Sequence, residues 1–141
     1  MRKVIISLGS NLGNRGLFIS SAITKIEDFI GPVVLKSSVI ETPSWGFESY
    51  PFLNQIIVAQ THLSPLSLLN ALQDIERNLG RTEKSSKDES GCSIYHAREI
   101  DLDILDYDGV RLNKPHLTLP HPHIYDRDFI VTLLNELNIE L

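Results

Sequence analysis

Asp101 and Asp103 are the residues whose type and spacing speak most directly of chemistry. They lie in the run Arg98-Glu99-Ile100-Asp101-Leu102-Asp103-Ile104-Leu105, where Ile100, Leu102 and Ile104 share one parity and Glu99, Asp101 and Asp103 the other. In an extended strand that spacing points both aspartates to one face, about 6.5–7 Å apart at Cα. Neighbouring carboxylates repel unless a cation sits between them. Oxygen-only ligands suit Mg2+, which commonly takes one or two carboxylates and completes its shell with substrate phosphates. The same alternation also fits the solvated outer face of a one-sided sheet, and alternation alone leaves both open. Arg98, three residues before Asp101, falls near the same end, where a guanidinium pairs with a carboxylate or a phosphate.

Other polar residues are weaker candidates. Gln73 and Glu76 are three apart and neighbours on a helix surface, beside the stripe Leu72, Ile75 and Leu79; taken in isolation, a solvated helix flank is the favoured reading of them. Arg81 follows Gly80 at the edge of a polar segment, where it could clamp a phosphate. His116, His121 and His123 cluster around Pro120 and Pro122. Zinc would need three or four ligands with supporting partners, and the lone Cys92 does not complete a set. Imidazoles donating to phosphate or ribose oxygens fit better, and a plain polar loop also fits. Trp45 stands in a Pro/Gly loop as an aromatic face or as a cover over the core edge. Gly9-Ser10-Asn11-Leu12-Gly13 has neither a following Lys-Ser/Thr nor the spacing of a dinucleotide loop, so both nucleotide motifs are rejected.

These residues need a frame to hold them. With 141 residues, the chain is expected to form one domain, residues 1–141. Its 42% hydrophobic and 22% charged residues are those of an ordinary globular protein, not a collagen-like, disordered or disulfide-built one. No apolar run has the length of a membrane span. Met1-Arg2-Lys3 is not followed by a signal-peptide apolar region, and one cysteine fits a reducing compartment, so a cytoplasmic protein is expected. A net charge of −5 argues against nucleic acid as a partner, though not against a small anionic ligand met by local cations.

Val4–Leu8 reads as a buried strand ended by Gly9. Asn14 is a candidate N-cap for a helix with Ile19, Ala22, Ile23, Ile26 and Ile30 on one face, stopped by Gly31-Pro32. Val33–Ile40 and Phe52–His62 read as strands around a loop. Ser64-Pro65 opens a second helix, closed by Gly80. Arg81–Ala97 is a polar stretch of seventeen residues, the composition of a lid. A strand at Arg98–Leu105, a short one at Val110–Leu112 and a helix at Asp126–Leu137 follow. The order predicts an α+β fold: a ferredoxin-like βαββαβ core, an antiparallel sheet with helices packed on one face, and an added C-terminal helix.

Ser7-Leu8-Gly9-Ser10-Asn11-Leu12-Gly13, Glu41-Thr42-Pro43, Phe52-Leu53-Asn54, Gly80-Arg81, Arg98-Glu99-Ile100-Asp101-Leu102-Asp103-Ile104 and Leu119-Pro120-His121-Pro122 occur in that order across nearly the whole chain. In these stretches the chain resembles the 6-hydroxymethyl-7,8-dihydropterin pyrophosphokinases of folate biosynthesis. The resemblance implies a ferredoxin-like fold and transfer of pyrophosphate from MgATP to the pterin's hydroxymethyl oxygen, with AMP leaving. It implies that Asp101 and Asp103 ligate two Mg2+ ions and are catalytic, together with the phosphate-clamping Arg81 and Arg98. Gln73, Glu76, Ile104, His116, Thr118, His121 and Arg127 would complete the ATP pocket. Thr42, Pro43, Ser44, Trp45, Gly46, Asn54 and Asp101 would meet the pterin, with its ring stacked between Phe52 and Phe129. A monomer is expected, with a weak homodimer as the alternative. The family's lid carries arginines and a tryptophan before the aspartates. Here Tyr95 occupies the tryptophan's place, and Lys84 and Lys87 are the nearest cations. His116 and Pro122 stand where an arginine and an aromatic are usual. A lid at about 82–97 is expected to order on substrate binding, with Tyr95 turning inward. Two other readings are a non-catalytic binding domain of the same fold and a pterin aldolase, neither of which needs MgATP.

Overall fold

The computed structural model describes residues 1–43, 51–80, 86–87, 93–94 and 99–141. Ser44, Trp45, Gly46, Arg81, Lys84, Cys92, Tyr95 and Arg98 fall outside them, as does most of the expected lid. The elements in chain order are β1 (Arg2–Ser10), α1 (Arg15–Phe29), β2 (Val33–Lys36), β3 (Ile40–Thr42), β4 (Phe52–Thr61), α2 (Pro65–Asn78), β5 (Ser86–Lys87), β6 (Ser93–Ile94), β7 (Asp101–Tyr107), β8 (Leu112–Lys114), β9 (Leu117–Leu119) and α3 (Asp128–Glu136). The main sheet runs β2-β4-β1-β7, with β3 also paired to β4, and every pairing in it is antiparallel. β5 and β6 pair inside the polar stretch, and β8 with β9 forms a small hairpin.

Local chemistry sets the boundaries. The Asn14 side chain accepts the Leu17 N–H at 3.2 Å and caps α1. Ser64 caps α2 through the Ser67 N–H, with Pro65 in the first turn where its missing donor costs nothing. Gly80, at φ +113°, takes a conformation other residues resist and ends the polypeptide's run behind α2. The expected strand at 33–40 is in fact two. Ser37 donates its N–H to the Ile56 carbonyl while its Oγ accepts the Ile56 N–H, which replaces ladder bonds with a corner. β1 runs two residues further than expected, through Gly9 and Ser10.

The sheet is covered on both faces. Val4, Ile6 and Leu8 of β1, Ile57 and Ala59 of β4, and Leu102 and Ile104 of β7 pack against α1 and α2. The opposite parity, Ile5, Ile56, Val58 and Leu105, packs against Ile130, Leu133 and Leu134 of α3. The two core helices share one face as expected, and the added helix takes the other. Among the described residues, no helix is long and apolar enough to cross a membrane.

Candidate active site

The α3 face is apolar along half its length and polar along the rest. On β7, Leu105 lies under the helix, and Asp103 and Asp101 continue the same parity beyond it. The register sets Asp103 opposite Ser7 and Ser7 opposite Ile56; one step along, Asp101 faces Gly9 and Gly9 faces Asn54. Residues opposite one another in a pleated sheet share a face. The row Asp101–Gly9–Asn54 therefore forms a polar floor that α3 leaves open.

Gly9 matters through its missing side chain. A Cβ there would lie 3.3 Å from Asn54 Oδ1 and 3.4 Å from the Phe52 ring. A side chain there would press on the Asn54 amide, which would have to give by a few tenths of an ångström. Asn54 is buried, and its Nδ2 donates to Thr42 Oγ1 at 2.7 Å. That bond fixes the amide's orientation, so the edge it offers a ligand is set before binding. Pro43, next to Thr42, is exposed.

α3 brings the remaining pieces. Arg127 precedes its first turn, with Nη1 3.9 Å from Asp103 Oδ2. Phe129 is half-buried and packs against the cluster beneath α3. Behind the sheet edge, His121 donates its backbone N–H to the Leu105 carbonyl. Its ring Nδ1 accepts the His123 N–H at 3.1 Å, which leaves the ring proton on Nε2 as a donor. Burial pushes the His121 pKa down to about 4, helped by the nearby charges of Arg127 and His123 and opposed by Asp101. The imidazole is thus a neutral donor at neutral pH. In the unfolded chain it titrates near 6.5, so the unfolded state binds more protons between that value and about 4. Stability is full above that window and declines as pH falls through it. His121→Asn keeps an acceptor for the His123 N–H without the titration. Its thermal midpoint is expected to fall less than the parent's between pH 6.5 and pH 4; parallel curves would assign the loss to other groups.

Glu76 is neither on a solvated flank nor open to the face that carries the aspartates. It is buried, and its Oε2 accepts the Leu102 N–H at 2.9 Å, clamping α2 to the outer edge of β7. Gln73 is half-buried one turn earlier. Ile104 turns its side chain into the α1/α2 core, so the side chain is not a pocket wall. The alternation along β7 puts its peptide groups on the same outer edge as the Leu102 N–H. Thr118 is half-buried in β9, and His116 is exposed in the β8–β9 turn. Among the described residues, no hydrogen bond ties His116 to the carboxylates.

The donor set points to a hard cation. Among the described residues, no group of three His, Cys, Asp or Glu is gathered for a metal. Two half-buried carboxylates on one strand face fit Mg2+ that fills its other positions with water and phosphate. Gly9 is not singled out by type or spacing, because a strand that ends there leaves it off the floor. The glycine beside a β-branched strand was the available signal.

The 7,8-dihydro-6-hydroxymethylpterin-pyrophosphokinase family model matches residues 5–139. The 2-amino-4-hydroxy-6-hydroxymethyldihydropteridine pyrophosphokinase of Porphyromonas gingivalis is 42% identical over 132 residues, covering 92% of this chain and 86% of that one. The enzyme of the same name from Aquifex aeolicus is 38% identical, covering 97% and 81%. That from Bacillus subtilis is 34% identical, covering 94% and 75%. The crystal structure of Plasmodium falciparum HPPK-DHPS with SDX-DHP superposes with a TM-score of 0.71 over 97% of this chain at 16% identity, a likeness of fold. The chain spans 40% of that longer polypeptide. With the match running through the floor, the carboxylates and the arginine before α3, this chain belongs to the 7,8-dihydro-6-hydroxymethylpterin-pyrophosphokinase family.

Proposed function

We propose that the chain transfers pyrophosphate from MgATP to 6-hydroxymethyl-7,8-dihydropterin, giving AMP and the pterin diphosphate, with the open end of the α3 face as its active site. The observation that carries this is one sheet face holding two unlike halves. Asp101 and Asp103 with Arg127 make a charged half, and Asn54, Thr42 and Phe52 make a flat, hydrogen-bonding half. Membership of the family supplies the reaction.

Asp101 and Asp103 would hold Mg2+, two ions in this proposal, which neutralises phosphate charge and orients the triphosphate when bound. Asn54, locked by Thr42, offers in-plane bonds to the pterin's amide-like edge, and Phe52 and Phe129 supply aromatic faces. Arg127 meets phosphate oxygens beside Asp103. His121 donates from Nε2 without carrying charge. Arg81 and Arg98 are assigned as phosphate clamps on their type and sequence position. Gln73 and the outer edge of β7 at Ile104, with Thr118 and His116, are assigned to the nucleotide, while Glu76 holds that edge in place. In the reaction, the pterin hydroxyl oxygen bonds to the β-phosphorus, the bond from that phosphorus to the α-phosphate's bridging oxygen breaks, and AMP leaves with the electron pair. Asp101, in the same row as Gly9 and Asn54, is the carboxylate placed to take the hydroxyl proton. We assign the chain to the cytoplasm as a monomer.

Incubation with MgATP and 6-hydroxymethyl-7,8-dihydropterin tests this. AMP and pterin diphosphate are expected in equal amounts. Release of ADP, or a pterin converted without ATP, would overturn the assignment.

A further inference from the structure

Arg15 opens α1, and its side chain reaches β3 and the residue before β4. Nη1 donates to Glu41 Oε2 at 2.8 Å and to the Pro51 carbonyl at 2.9 Å. Glu41 is the middle residue of β3, and Pro51 immediately precedes β4. The pairing of these strands sets Thr42 opposite Phe52. One guanidinium nitrogen thus joins two chain segments ten positions apart, each one residue from a member of the pterin half. Thr42 passes the constraint on, because its Oγ1 accepts the bond that orients Asn54.

The stability of the fold is a poor explanation for this contact. The two side chains are 30% and 55% exposed, and an ion pair that open to water adds little to global stability. Its geometry, however, is fixed on both sides. Arg15 is held in the first turn of a capped helix, and Glu41 in a paired strand. A charge-assisted bond between pre-ordered elements spends its strength on relative placement.

We propose that Arg15 is a positioning residue for pterin recognition: it ties Glu41 to Pro51, holds β3 against the start of β4, and so keeps Thr42, Asn54 and Phe52 in their binding arrangement. This rests on the pterin side of the active site proposed above. It assigns Arg15 no contact with substrate.

The test is titration of the full chain with 6-hydroxymethylpterin, in Mg2+ and a non-hydrolysable ATP analogue, alongside titration with the analogue alone. Arg15→Gln is expected to weaken pterin binding about fivefold, with analogue affinity and thermal midpoint unchanged. Arg15→Lys, which keeps the charge and a donor, is expected to recover part of the loss. Glu41→Ala is expected to weaken pterin binding in the same way, and the double variant to be no weaker than the worse single one. Parental pterin affinity in Arg15→Gln would overturn the inference, as would equal loss for both ligands or additive losses in the double variant. Asn54→Ala separates the two levels. If it loses pterin affinity while Arg15→Gln does not, only the clasp fails. If Asn54→Ala binds pterin as the parent does, the pterin reading fails and the clasp with it.

Discussion

Asp101→Ala and Asp103→Ala are each expected to lower turnover about a thousandfold while leaving the protein folded. Both carboxylates are half-buried on an open strand face, and neither is in the hydrophobic clusters above and below the sheet. Truncation therefore opens no core cavity, and it relieves repulsion between two like charges on one face. Asp103→Ala also removes the carboxylate 3.9 Å from Arg127, so its melting profile is expected to move slightly. AMP release at saturating ATP, followed across a Mg2+ series, is the measurement. In both variants the affinity for ATP is expected to lose most of its dependence on Mg2+. Near-parental turnover at saturating Mg2+ in either variant would remove the metal role from that residue.

Gly31→Ala is expected to be the most damaging small substitution in the described chain. A Cβ at Gly31 would lie 1.8 Å from the Gln60 carbonyl oxygen, closer than any real contact. The obstacle is backbone, so no rotamer change relieves it. The surroundings are also stitched in place: Thr61 Oγ1 donates to the Ile30 carbonyl, and the Gln60 N–H to the Pro32 carbonyl, both at 2.9 Å. Moving the 30–32 connection would break bonds that join α1 and β2 to β4. The expected cost is about 3 kcal/mol, the upper part of the range for overpacking, and a fall of about 10 °C in thermal midpoint. Gly16→Ala is the matched control, because nothing lies within 4 Å of the Cβ position there. Equal stability of the two variants would mean the 31–60 approach is looser than described.

The sequence carried the floor's carboxylates plainly, because a period of two in β7 is visible without any partner strand. The two core helices were equally legible, each with an apolar stripe and a side-chain cap. Gly9 was harder. It looks like a strand terminator until β4 is set beside β1, when its role becomes the space it leaves for Asn54 and Phe52. Glu76 shows the limit of helix periodicity. The stripe Leu72, Ile75, Leu79 locates the buried side, but an acidic residue at its border is buried only because β7 presents an edge N–H at that point. The split at Ser37 is of the same kind, since a serine inside a β-branched run becomes a corner only through the Ile56 peptide across from it. The face taken by α3 has no local signal at all. It follows from the sheet's second apolar parity, which needs a cover once α1 and α2 have occupied the first.

Because Arg127 and Phe129 belong to the α3 end of the chain while Gly9 lies near the end of β1, the proposed site has no local precursor. As the chain emerges during synthesis, the parity of Ile5, Ile56 and Val58 stays bare until residues 128–136 arrive to cover it. A nascent chain lacking that segment is both sticky and inactive. The same logic holds in the finished protein, where undocking of one short helix would bare an apolar face and withdraw an arginine from the carboxylates in a single event. Loss of activity would then run ahead of loss of the sheet, and proteolysis near α3 would report the active population better than spectroscopy of the β-structure.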